Sequence, residues 1–280
     1  MRLKMITTFS LLFLLSVISF AQTAQQWVEK AISYENLHKQ IQYCTVAIEV
    51  DSTYAPAWYY RGVAKRILFR YAPAVADFDQ AIKLDPLFAP AWNERGLTHR
   101  YLNQYSEALS DFERAIKLDS AFVEAYTNRA STNYDLAWYE PALNDLDRAI
   151  RLNPHFPEVW FLRGNIHYDR ENYHQAVLDY GRAAGLDPGH TMAFNNRGLA
   201  KFRMGKLAES LPDFEKAVSL DPSYAFGWYN RAMVLTELNR YNEAIRTYDR
   251  VIELDPRFTE AVENRERLTE KISLTRSQTQ

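Results

Sequence analysis

The sequence predicts an all-α protein built as a stack of helical hairpins, and three observations predict it. A two-residue anchor, Val or Leu followed by Asp or Asn, recurs at 50-51, 84-85, 118-119, 152-153, 186-187, 220-221 and 254-255, a period of 34 residues kept without insertion or deletion. In the same step a large ring stands at Trp58, Trp92, Tyr126, Trp160, Phe194 and Trp228, followed four residues later by Gly62, Gly96, Ala130, Gly164, Gly198 and Ala232. Finally, two apolar stripes at helical spacing occupy each period, separated by a short polar break such as Asn103-Gln104 or Asn239-Arg240.

The amino end is a separate element. Arg2 and Lys4 precede an apolar run from Met5 to Phe20 that closes on Ser19-Phe20-Ala21, which predicts a secretory signal over residues 1-21. An exported chain, periplasmic or extracellular, is therefore expected, with retention of the run as an anchor left open. No other segment is continuously apolar over the length a bilayer requires. Residues 22-54 keep the second-helix pattern through Cys44, Ala47, Val50 and Asp51 but carry Ala24 where a ring is due, a degenerate first unit.

Six full units follow, at 55-88, 89-122, 123-156, 157-190, 191-224 and 225-258. First helices are expected near 56-69, 90-103, 124-136, 158-170, 192-204 and 226-238, and second helices near 72-84, 106-118, 140-152, 174-186, 208-220 and 242-254. Neither helix of a hairpin can bury its apolar stripe alone, so neighbouring hairpins must stack into a continuous core. Proline after the Leu-Asp anchor removes a backbone donor and disfavours helix at the residue before it, which predicts a stop. A polar helix over 259-272, with Ala261, Val262 and Leu268 inward, would cap the stack, leaving 273-280 as a frayed tail.

The succession of Trp, small residue, Tyr, Ala, Phe, Ala and Pro over 34 residues resembles the tetratricopeptide repeat. That resemblance covers 55-258 and implies a right-handed superhelical solenoid whose inner face, lined by first helices, binds a partner. The residues it places there include Tyr59, Phe161 and Tyr229, a row of Arg66, Arg100, Tyr134, Tyr168 and Phe202, and beside it Tyr101, Asp135, Asp169 and Arg203. The implied partner is a protein or peptide, with glycan or small-ligand binding by the rings as the alternative and self-association as a third reading. The lysines by which some members clamp a carboxylate tail are missing beside Asn93, Asn165 and Asn195, which argues against that partner.

One departure from the commonest repeat is polar. Arg61, Arg95, Arg129, Arg163, Arg197, Arg231 and Arg265 precede the small position, and Asp77, Asp111, Asp145, Asp179, Asp213 and Thr247 precede the second-helix ring position. Both sites belong to the junction between helices, so a repeated Arg-Asp pair within or between hairpins is expected as a structural ladder.

Chemistry finds little foothold. With 33 basic and 35 acidic residues interspersed, the net charge of -2 offers no footprint for nucleic acid. Cys44 stands alone, so no internal disulfide forms, and the six histidines are dispersed without metal-ligand spacing. No phosphate loop or nucleophile elbow occurs. The expectation is a non-catalytic scaffold without cofactor or metal.

Overall fold

The computed structural model describes residues 22-278, and the expected signal at 1-21 lies outside them. The described residues form fifteen helices and no strand. A short hairpin, α1 (Ala24–Ile32) and α2 (Leu37–Val50), comes first. First helices of the six full units are α3 (Ala55–Ile67), α5 (Ala89–Tyr101), α7 (Val123–Asp135), α9 (Pro157–Asp169), α11 (Thr191–Arg203) and α13 (Ala225–Glu237). Their second helices are α4 (Tyr71–Leu84), α6 (Tyr105–Leu118), α8 (Tyr139–Leu152), α10 (Tyr173–Leu186), α12 (Leu207–Leu220) and α14 (Tyr241–Leu254), and α15 (Thr259–Gln278) closes the chain. The chain divides into two compact units, at Thr132 and Asn133.

First helices stop one or two residues sooner than the apolar stripe suggests. In the first full hairpin the chain turns at Phe69, whose φ of 59° is left-handed; its N–H donates to the carbonyl of Arg66, and the N–H of Arg70 donates to that of Lys65. These two bonds satisfy carbonyls that the helix end would otherwise orphan. The same closure recurs at Asn103, Ala137, Glu171, Gly205 and Asn239, all at positive φ. At the other loop an Asx turn does the work expected of proline. Asp85 Oδ1 accepts the Leu87 N–H at 3.0 Å, and Asp51 and Asp119, which are followed by serine, make the same turn to Thr53 and Ala121 at 2.9 Å. α15 runs on to Gln278, beyond the 259-272 cap expected; no Gly or Pro occurs after Pro256 to stop it.

The period reflects a close approach. A Cβ added at Gly164 would lie 2.7 Å from the Tyr180 ring, and one at Gly62 would lie 2.7 Å from Phe78, so first and second helices meet there with backbone against ring. The wedge rings pack on alanines: Trp58 and Trp92 lie against Ala81, Ile82 and Ala91. Their indole N–H groups donate to loop carbonyls, Trp58 to Ser52 at 3.0 Å and Trp92 to Pro86 at 3.1 Å. In the amino-terminal hairpin Trp27, three residues past Ala24, packs on Ala24, Val28 and Ala47 and stacks on Tyr43.

The arginine ladder is present and reaches further than the sequence suggested. Arg163 donates from Nε and Nη2 to both oxygens of Asp179, at 2.8 and 2.7 Å, within its own hairpin. Its Nη1 reaches Asp147 of the preceding hairpin at 2.9 Å, and its guanidinium lies 4.7 Å over the Trp160 ring. Arg95 repeats this with Asp111, Asp79 and Trp92. A second cation shares the aspartate: Lys65 pairs with Asp77 at 2.6 Å and Lys201 with Asp213 at 2.7 Å. His99 and His167 hold the equivalent position, 3.8 Å from Asp111 and Asp179, so these rings face the ladder rather than an apolar core. Burial presses the His167 imidazole below its usual value, and the carboxylate of Asp179 pulls it back.

Candidate binding surface

The ladder consumes the charged groups between helices and leaves the other face of the first helices for anything that docks. In the first unit, Tyr59 packs as a core ring against Tyr60, Phe78 and Phe88, with centroids 5.0, 6.2 and 4.9 Å away, and burial raises its hydroxyl above the ordinary tyrosine value. Arg66 is tied to Glu94 of the next first helix at 2.8 Å. Arg100 is half-buried, and Tyr101, 48% exposed, stacks on Tyr71 at 5.4 Å.

In the second unit, Tyr134, Tyr168 and Asp169 come together. With Asn165, Tyr180, Asn196 and Leu199 they line a cavity of about 260 Å³. Tyr134 and Tyr168 sit in the last turns of α7 and α9, and Asp169 is the final residue of α9, so helix ends set all three. The Tyr134 hydroxyl donates to Asp169 Oδ2 at 2.6 Å; burial, then this carboxylate, raises its pKa and keeps it a neutral donor. Arg203 Nε donates to the Tyr168 hydroxyl at 3.3 Å. Tyr180 forms the floor, with its hydroxyl donating to Asn165 Oδ1 at 2.8 Å, an oxygen that also accepts from Asn196 Nδ2 at 3.2 Å. Two donors on one oxygen fix the orientation of the Asn165 amide.

The other expected residues are not brought to this cavity. Phe161 supports it from beneath, packed on Tyr180 at 5.8 Å and His190 at 4.7 Å. Phe202 and Tyr229 join the core around Phe214, Leu235 and Tyr248, and Tyr229 stacks on Phe258 at 4.8 Å. Asp135 is exposed at the end of α7. Sequence reasoning missed Tyr180 and Asn196. Tyr180 occupies a position held by Phe78, Phe112, Leu146, Phe214 and Tyr248, and its hydroxyl, which in a buried place demands a partner, was the available signal.

Reiterated hairpins, ring-on-glycine approaches and a first-helix face carrying the open polar groups define a helical-repeat protein. The chain belongs to the tetratricopeptide repeat family, whose models match residues 55-86, 89-122, 134-191, 192-224 and 225-258. Among solved structures it is similar to a chain of the Cut9–Hcn1 hetero-tetramer of the APC/C, at a TM-score of 0.71 and 16% identity over 91% of this chain; it spans only 50% of that one. It is also similar to YrrB, titled as a repeat protein of this kind with an unusual peptide-binding site (TM-score 0.57, 22% identity, 68% of this chain and 97% of that). A repeat protein from Parabacteroides merdae matches at 0.63 with 16% identity, over 89% of this chain and 100% of that. No curated protein matches the chain. At these identities the likenesses carry the fold. Family and fold together support a protein-interaction scaffold in general, and no helix of the described residues is long and apolar enough to cross a membrane.

Proposed function

We propose that the protein is a non-catalytic scaffold in an exported compartment, binding a peptide or partner protein on its first-helix face. The observation that carries this is the cavity of Tyr134, Tyr168 and Asp169, where rings and a carboxylate come together on the first-helix face. Rigid tyrosines that present an apolar body and a polar tip are the usual anchors of protein interfaces. The peptide-binding site named for YrrB supports the same class of partner, and the leader at 1-21 would supply export. The glycan alternative draws on the same rings. The cavity, about 260 Å³, is smaller than the roughly 300–1,000 Å³ common for small-molecule sites, which favours a polypeptide that inserts one side chain.

The test is affinity capture from the exported fraction, with partners identified by mass spectrometry, using the native chain beside a Tyr134→Ala, Tyr168→Ala double variant. A partner held by the native chain and lost by the variant supports the reading. Capture unaffected by these changes, together with those at Arg100 and Tyr101, would refute it. The intact mass of the protein recovered from that fraction, shorter by residues 1-21, tests the export claim separately.

A further inference from the structure

We infer that the Tyr134, Tyr168 and Asp169 cavity receives the cationic side chain, lysine or arginine, of a polypeptide partner; this rests on the reading that the first-helix face binds a polypeptide. Size sets the scale. A volume of about 260 Å³ corresponds to about nine waters at ~30 Å³ each, room for one long side chain.

Electrostatics sets the sign. The ladder aspartates Asp77, Asp111, Asp179 and Asp213 each have an arginine on them. Asp169 has no cation within ion-pair distance among the described residues: its one partner is the Tyr134 hydroxyl on Oδ2, and Oδ1 is left over. The half-buried rings of Tyr134 and Tyr168 line the same space over the buried Tyr180, and aromatic faces carry negative potential that attracts ammonium and guanidinium groups. The cavity also lies at the carboxyl ends of α7 and α9, where the aligned peptide dipoles leave partial negative charge. Leu199 and the ring bodies supply apolar surface for the methylene stem. Tyrosine rings and a carboxylate that binds one hydroxyl give a cage with a spare acceptor, and a cation completes it.

Arg203 is the opposing charge. It is exposed at the end of α11 and donates to the Tyr168 hydroxyl. A cationic guest therefore meets repulsion from Arg203, whereas an anionic guest would gain from it. The two signs of guest thus predict opposite effects for the same substitution.

The experiment titrates the full chain, isotopically labelled, with n-butylammonium, n-butanol and butyrate, three probes alike in stem and different in charge. The Asn165 side-chain amide and the backbone amides of Tyr168 and Asp169 are followed by NMR. Butylammonium should give saturable shifts confined to the cavity, weakened about fivefold by Asp169→Asn and strengthened by Arg203→Ala, with butanol and butyrate silent. Both changed residues are exposed, so both variants should keep the native melting temperature. An equal response to butanol, a stronger response to butyrate, or no saturable response to any probe would overturn the inference. A partner captured normally by Asp169→Asn would remove this inference and leave the proposed function intact. Saturable butylammonium binding with no captured partner would leave the cation cage standing and remove the polypeptide reading from which its occupant is taken.

Discussion

Arg163 grips both carboxylate oxygens of Asp179, while its third nitrogen bridges back to the hairpin before. Asp179 is 2% exposed and Arg163 17%, so the carboxylate is shielded from water and each of its oxygens accepts from the guanidinium. A carboxylate stranded there is expensive. Asp179→Ala or Arg163→Ala should each destabilise by about 3 kcal/mol, with strong coupling in a double-mutant cycle read by urea unfolding. The terminal pair, Arg265 with Asp249, is 43% exposed on both sides, and Arg265→Ala should cost less than about 1 kcal/mol. Equal costs for the two pairs would show that burial does not govern the ladder.

Two glycines separate packing from helix propensity. Alanine is a better helix former than glycine by about 1 kcal/mol, so a free position should gain from the change. Gly185 in α10 meets nothing within 4 Å, and Gly185→Ala should stabilise by about 0.5–1 kcal/mol. Gly164→Ala places a methyl 2.7 Å from Tyr180, the floor of the cavity, and overpacking of about 1–3 kcal/mol outweighs the same gain. Thermal melts of the two variants should therefore shift in opposite directions.

Cys44 has no exposed surface, and burial pushes its thiol up to about 12. The native protein at pH 8 should resist iodoacetamide, and urea should expose one reactive thiol. The fold favours the neutral thiol, so its contribution is complete below the unperturbed value of 9.0 and is lost as pH rises towards 12. By pH 10 the loss from this group is ~1.4 kcal/mol, and Cys44→Ala should flatten that part of the alkaline decline. Tyr59 and Tyr180, also raised by burial, add a loss of the same sign that Cys44→Ala would leave in place.

The hairpins and the pairing of ladder arginine with ladder aspartate were legible because Arg163 and Asp179 recur in fixed register with the apolar stripe, and the structure decides that the pair lies within one hairpin. The backward half was not, since its partner varies: Thr45 for Arg61, Asp79 for Arg95, Asp147 for Arg163 and Glu215 for Arg231. The stripe of first-helix residues was legible as positions but not as a site. Tyr59 and Tyr134 belong to the same class of helix face, yet local ring packing turns one inward and leaves the other open. Only the fold brings Tyr180 and Asn196 under Tyr168.

The left-handed closures were legible at Asn103, Gly205 and Asn239, residue types that tolerate positive φ, and hidden at Phe69, Ala137 and Glu171. A residue with a Cβ in this region costs about 1 kcal/mol or more, and the two hydrogen bonds of the closure hold it there regardless. At Glu171, exposed and with φ 60°, glycine removes that strain. It also enlarges the unfolded ensemble, which takes back part of the gain. Since the native backbone is already one that glycine prefers, Glu171→Gly should raise stability by about 0.5–1 kcal/mol, and Gly205→Ala, at φ 75° with open space around it, should lower it by a similar amount. Both are read by urea midpoints. If Gly205→Ala proved neutral, the closure at that turn would have to tolerate a Cβ without strain, and left-handed backbone would carry no cost at any of the six turns.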